Sequence, residues 1–429
     1  MSSVAAPSAH VPVSTLAAYG LFGMPLAMAA LPLYVHLPKF YGDHLGVNLA
    51  LLGGVLLTLR LADGVIDPVL GVLSDRGGAR KRWLLVAAPL LAIGMIALFT
   101  PVPREGAQLI AWLSLSLALV YAAFSLATIN HQAWGAELST DPVERTRITA
   151  VREGLALAGV VIAAVLPAFL GGDDGGLGRF ALLFAVFTLA CATVTVAFTP
   201  SPRAAPIAYT TGRSFRQLLS RPLADLMFRR LLLVFMLNGI AAAIPATLVL
   251  FFIADVLEAE SRQGIFLALY FIAGAAGMPL WVKVSARIGK PRAWLAAMFV
   301  AISAFVWASR LGAGDLTAFT AICILSGIAL GADLALPPSL LADVIGRRGR
   351  MEATGSYFGL WTLASKLNLA LAAGIALPLL SALGYAPGGR DQAALRALAI
   401  VYAFVPCVLK LVAVGALVWF DRSQNRSVR

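Results

Sequence analysis

Twelve apolar runs, each close to the length that spans a bilayer, account for most of the chain. They fall near 15–38, 48–73, 83–101, 108–136, 148–170 and 178–200, then near 229–254, 263–285, 293–311, 316–342, 354–384 and 393–420. A helix needs about 20 apolar residues to cross a membrane. Of the 429 residues, 60% are hydrophobic and 13% charged. A single buried core stops growing near about 250–300 residues, so this much apolar surface has to face lipid. The composition excludes disorder, and the three cysteines (Cys191, Cys323, Cys407) lie apart in apolar runs, which excludes a disulfide scaffold. The expected fold is an all-α membrane protein with twelve transmembrane helices in two six-helix halves.

The halves are expected at 1–200 and 229–429, joined by a basic linker at 201–228. Lys and Arg concentrate on the cytoplasmic side of membrane proteins. With the N-terminus inside, the inner segments hold twenty-three of the thirty-three basic residues and the outer segments seven. Both termini are therefore expected in the cytoplasm. The same count explains the net charge of +12 as topology, so no nucleic-acid partner is expected. The start MSSVAAPSAHVPVS has no basic region ahead of its first apolar run, and no removable leader is expected. DRGGARKRW (75–83) and ARIGKPRAW (286–294) align without a gap, 211 residues apart, each after the second run of its half. Arg-Gly-Lys turns are common anchors, but a shared place in each half is what duplication of a six-helix unit leaves.

Ionisable residues inside the second run are the sharpest signal. Arg60, Asp63 and Asp67 are spaced three and four apart, so they share one helical face. A charge at mid-bilayer costs about 2.5–3.5 kcal/mol even on insertion scales, so each requires a partner, water or a task. Two carboxylates a turn apart repel unless a cation or proton lies between them. One Arg neutralises one carboxylate, and the other is left as an oxygen ligand for a small cation or as a proton carrier. The plain alternative is an Arg–Asp pair that locks this helix to its neighbours. Gly71, Asp75, Arg76, Gly78 and Arg80 follow as a G-x-x-x-D-R-x-G-x-R turn. That turn reads as a charged cap or as a gate whose ion pairs form in one conformation and break in the other.

The turn resembles the signature loop of the major facilitator superfamily. Arg60, Asp63 and Asp67-Pro68 with Gly71 are similar to the glycoside–pentoside–hexuronide:cation symporters, the melibiose-permease family. AWGAELSTDPVERTRITAVRE, LMFRRLLLVFMLNGIAAAIPATLVLFF and LADVIGRRGRMEATGSYFGLWTLASKLNLALAAGIALPLLSALGY carry the likeness along most of the chain. The resemblance implies the major facilitator fold and a secondary active transporter with no cofactor. It would couple uptake of a small organic solute, sugar-like or other, to sodium or protons. It implies that Asp63 and Asp67 bind the coupling cation, as metal ligands if that is sodium, and that Ser125 completes the site. It places Arg152 near the solute, Lys366 in the charge network, and Thr362 one turn before Lys366. Arg60, Asp75, Arg76, Glu137, Arg145 and Asp343 form the expected charge network and gate.

Departures accompany the likeness. Galactoside carriers of that family have a Lys-Asp pair where this chain has Met24 and Pro25, and an acid where it has Thr128. Their aromatic-rich segment is replaced by Asn130, His131 and Gln132, a polar cluster expected to line the solute cavity. For His131 an interhelical hydrogen bond is the even alternative. Arg152 and Lys366 then stand without nearby acids, which would suit a more apolar or anionic solute. Lysophospholipid transport is the alternative within the family, and a membrane-embedded enzyme or sensor the one outside it. Lys410 is expected to snorkel or pair locally, and Asp333 to be either a pathway residue or a buried hydrogen-bonded acid. No phosphate loop, paired-Cys metal site or nucleophile elbow occurs, so no enzyme activity is expected. Partners are expected to be the solute, the ion and lipid, with the chain a monomer. Arg far outnumbers Lys and Ala is abundant, a bias of GC-rich bacteria, so the inner membrane is the expected location.

Overall fold

The computed structural model describes residues 10–77, 79–103, 105–170, 176–201, 215–347, 351–385 and 388–426, and among these it is helical without strands. Twelve long helical segments follow one another: α1 (Val13–Ala30), α2 (Leu49–Gly77), α3 (Arg80–Phe99), α4 (Gly106–Glu137), α5 (Pro142–Phe169), α6 (Gly176–Phe198), α7 (Leu226–Phe251), α8 (Gln263–Ile288), α9 (Lys290–Phe305), α10 (Leu316–Arg347), α11 (Thr354–Ala382) and α12 (Gln392–Arg426). They match the twelve apolar runs in order. Ten of them, or segments containing them, are long and apolar enough to cross a membrane. The other two, α2 and α5, are as long but carry Arg60, Asp63 and Asp67 or Arg145, Arg147 and Arg152.

Helix ends run past the apolar runs where the chain supplies its own caps. Asp141 Oδ1 accepts the Val143 N–H at 2.8 Å, and Pro142 opens α5, so that helix starts six residues before its apolar run. Asp225 caps α7 in the same way, from the N–H groups of Met227 and Phe228. A short helix, Phe215–Ala224, occupies part of the expected linker, whose residues 202–214 lie outside the described ones. Gly78, Arg348 and Arg350 of the expected turns, and most of the Gly-rich stretch at 171–178, also lie outside them. Prolines sit inside α2, α3, α7, α8, α10, α11 and α12 without ending them. Membrane helices tolerate this because neighbours take up the freed carbonyls.

The chain packs as two compact units. One comprises 1–220 with 345–362, and the other 221–344 with 363–429. In the first, Phe22, Leu91, Leu117, Trp134, Phe180 and Phe184 are core. In the second, Phe252, Phe266, Phe319, Leu398 and Tyr402 are. The polarity of α2 is that of a membrane protein. Leu57, Leu61 and Val65 form an outward apolar stripe, exposed by 60–71%, while Asp63, Asp67 and Ser74 on other faces are buried. The helix turns its charges inward because lipid cannot solvate them.

Candidate functional site

Two of the expected cation ligands meet directly. Ser125 Oγ on α4 donates to Asp63 Oδ1 on α2 at 2.9 Å, and both side chains are buried. Arg60 Nη1 lies 3.6 Å from Asp63 Oδ2, and its guanidinium sits 5.5 Å from the Tyr121 ring centroid. Asp67, one turn further along α2, is wholly buried. The Oδ2 atoms of Asp63 and Asp67 accept no hydrogen bond. The result is a set of hard oxygens in a low-dielectric setting.

The same helix is clamped further along by α11. A Cβ built on Gly355 would meet Gly71 O at 2.6 Å, and one on Gly359 would meet Asp67 O at 2.7 Å. Glycines four apart let the two backbones touch. That approach brings Asp75 to the first turn of α11, where Oδ1 accepts the Gly355 N–H at 2.6 Å and Oδ2 the Ser356 N–H at 2.7 Å. A carboxylate at a helix N-terminus satisfies donors that the helix itself leaves open and complements its dipole. Arg80 Nη2 bonds Asp75 at 2.9 Å and Glu137 at 2.7 Å, tying α2, α3 and α4 together. Arg80 also donates to Ser74 Oγ, which donates to Asn130 Oδ1 at 2.5 Å. Asn130 therefore sits in this charge network and not in a cluster with its sequence neighbours. Arg145 donates to Ser139 O at 2.8 Å, and its guanidinium lies against Gly346 near the end of α10, where the carbonyls of a helix end attract a cation. Arg76 is exposed.

His131 faces α1. Its Nε2 lies 2.8 Å from Tyr19 O, and Tyr19 Oη donates to His131 O at 2.8 Å. The ring stands between Tyr19 and Phe22, with centroids 4.4 and 5.5 Å away. Gly135 leaves the space that the Tyr19 hydroxyl fills. Of the two readings for His131, the geometry is that of the interhelical clasp. Gln132 Oε1 is buried and accepts no hydrogen bond. Arg152 also reaches Tyr19, and its Nη2 donates to Glu153 Oε1 at 2.5 Å. The expectation that Arg152 stands without a nearby acid is thus corrected: the next residue along α5 supplies it. On α11, Thr362 is buried with its hydroxyl donating to Phe358 O at 2.9 Å, and Lys366 is half-buried one turn on.

The second unit has its own buried charges. Lys290, the first residue of α9, bonds Asp343 near the end of α10 at 2.5 Å. Asp343 thus belongs to a buried pair of the second unit. Asp333 takes Asn238 Nδ2 at 3.1 Å and Trp294 Nε1 at 2.7 Å on Oδ1, and Lys410 Nζ at 2.9 Å on Oδ2. Lys410 therefore neither snorkels nor pairs locally; it crosses from α12 to α10. Asp333 is the buried, hydrogen-bonded acid of its two readings. Tyr19, Glu153, Asn238 and Trp294 are partners of these side chains that sequence reasoning missed. Of these only Glu153, a second charge beside Arg152 in an otherwise apolar stretch, carried a signal.

The family model described as MFS/sugar transport protein matches residues 16–422. The Escherichia coli inner membrane symporter YicJ is 28% identical over 148 residues, 32% of either chain, so that match spans about a third of YicJ's length. The putative glycoside/cation symporter YagG of the same organism is 22% identical over 390 residues, covering 87% of this chain and 84% of YagG. Among solved structures, a bacterial homologue of the iron transporter ferroportin, in an outward-facing state, superposes with a TM-score of 0.70. At 16% identity over 96% of this chain and all of that one, it shows the shared fold. This integral membrane chain is a transporter, not an enzyme, and belongs to the MFS/sugar transport protein family.

Proposed function

We propose that the chain is a secondary active transporter that couples entry of a small sugar-like solute to sodium or protons by alternating access. The observation that carries the reading is the Ser125–Asp63 bond beside the buried Asp67. It sets three oxygens of the kind hard cations prefer on two adjacent membrane helices. Cation binding there offsets the repulsion between the carboxylates and lowers the cost of moving α2. Sodium would be bound by these oxygens, whereas a proton would sit on one carboxylate.

Arg152, Thr362, Lys366 and Gln132 form the proposed solute side. We assign Asn130 and His131 to the scaffold, since Asn130 is bonded to Ser74 and Leu126 O and His131 Nε2 to Tyr19 O. Asp75, Arg80 and Glu137 form the gate of the first unit, with Arg76 and Arg145 as its charged anchors, and the Lys290–Asp343 pair is a charged anchor of the second. The six-helix halves at 1–200 and 229–429, the linker at 201–228, cytoplasmic termini and a monomeric state belong to this reading. YagG, which aligns along most of the chain, is named a glycoside/cation symporter, which favours a glycoside-like solute over a lysolipid.

Uptake into proteoliposomes under an imposed sodium or proton gradient tests the proposal. Accumulation of a sugar above equilibrium with one of the two gradients is the expected result. Equilibration that neither gradient drives uphill would refute it.

A further inference from the structure

Met24 and Pro25 on α1 and Thr128 on α4 offer no carboxylate to a solute hydroxyl. A carboxylate nevertheless stands beside Arg152. Nε and Nη2 of Arg152 both donate to one oxygen of Glu153, Oε1, at 3.1 and 2.5 Å. The Glu153 side chain is 19% exposed, and Oε2 is neither hydrogen-bonded nor among the buried oxygens. Successive helical residues are about 100° apart, so Ala158, the exposed residue of the next turn, points about 140° away from Glu153. Glu153 therefore lies on a different face of α5 from Ala158.

From this geometry we infer that Glu153 is the hydroxyl-accepting carboxylate of the solute site. It selects neutral polyhydroxylated solutes over anions. The inference rests on the reading above that Arg152 borders that site. A guanidinium that saturates one carboxylate oxygen leaves the other oxygen to accept O–H groups. Charge-assisted bonds of this kind are about twice as strong as neutral ones. A site built to bond a hydroxyl rejects analogues that lack it, because its own group is then left unpaired. The pair carries no net charge, so a solute carboxylate gains little from Arg152 and meets the repulsion of Glu153.

The test is binding to the purified full chain in detergent at saturating sodium or low pH, read by thermal shift. The probes are D-xylose, D-galactose, isoprimeverose and D-glucuronate. The wild-type chain should bind at least one neutral sugar and favour it over glucuronate. Glu153→Gln should weaken that sugar at least tenfold and narrow the preference, Glu153→Asp should recover part of it, and sodium-induced stabilisation should persist in both. Equal sugar affinity in Glu153→Gln, tighter binding of glucuronate, or binding of no neutral sugar would overturn the inference. Glu153-dependent sugar binding without gradient-driven uptake would overturn the symport reading and leave this one standing.

Discussion

Asp75 and Ser356 are joined twice: Oδ2 of Asp75 accepts the backbone N–H of Ser356 at 2.7 Å and its hydroxyl at 2.6 Å. The two residues lie 281 positions apart, so Asp75 does for α11 what an N-cap residue normally does from the same helix. Arg80 holds the far side of the same carboxylate. Such a contact is strong while formed but is lost as a unit once α2 and α11 part.

Asp75→Asn keeps the size of the side chain and removes its charge. Asp75→Asn leaves Arg80 with Glu137 alone and weakens two charge-assisted bonds to α11, so the Tm in detergent should fall clearly. Ser356→Ala removes one hydrogen bond to a charged group, about 1.5–3 kcal/mol, and should lower Tm less. Equal effects of the two substitutions would contradict the assignment of Asp75 as the cap.

Gly355→Ala puts a Cβ 2.6 Å from Gly71 O and 2.7 Å from Asp75 Oδ1, with backbone on one side and a fixed carboxylate on the other. Neither can yield cheaply. The variant should lose both stability and uptake, measured by Tm and proteoliposome flux. Gly374→Ala, where no atom lies within 4 Å of a built Cβ, should change neither.

His131 separates scaffold from solute roles. If it clasps α1 to α4 through Tyr19, His131→Ala lowers Tm while the solute concentration for half-maximal uptake stays within about twofold. A tenfold or larger rise in that concentration, with Tm unchanged, would return His131 to the solute site.

The Asp333–Lys410 pair invites a double-mutant cycle. Asp333→Asn leaves a buried ammonium and Lys410→Met a buried carboxylate, so each alone should destabilise strongly. Together they remove both charges and should recover much of the loss. Additive losses would mean that the two residues do not act as a pair.

Much of this was legible from the chain. The number and order of helices followed from runs that only lipid can accommodate. The buried face of α2 followed from Asp63 and Asp67 being a turn apart. The Gly71 turn pointed to a charged cap, though not to its destination on α11, because the partner lies 281 residues away and no periodicity marks it. His131 and Asn130 read as one polar cluster for a related reason. Neighbours on a helix point about 100° apart, so adjacency in sequence made a cluster that the helix disperses. Lys410 looked local because its acid is on another helix, and Glu153 was overlooked beside the arginine it neutralises.

The central claim is that Asp63, Asp67 and Ser125 carry the coupling cation. The most direct measurement is gradient-driven sugar uptake by proteoliposomes holding Asp67→Asn, alongside equilibrium exchange of the same sugar without a gradient. The account predicts that exchange survives at a reduced rate while uphill accumulation disappears. Full cation-dependent accumulation by Asp67→Asn would contradict it.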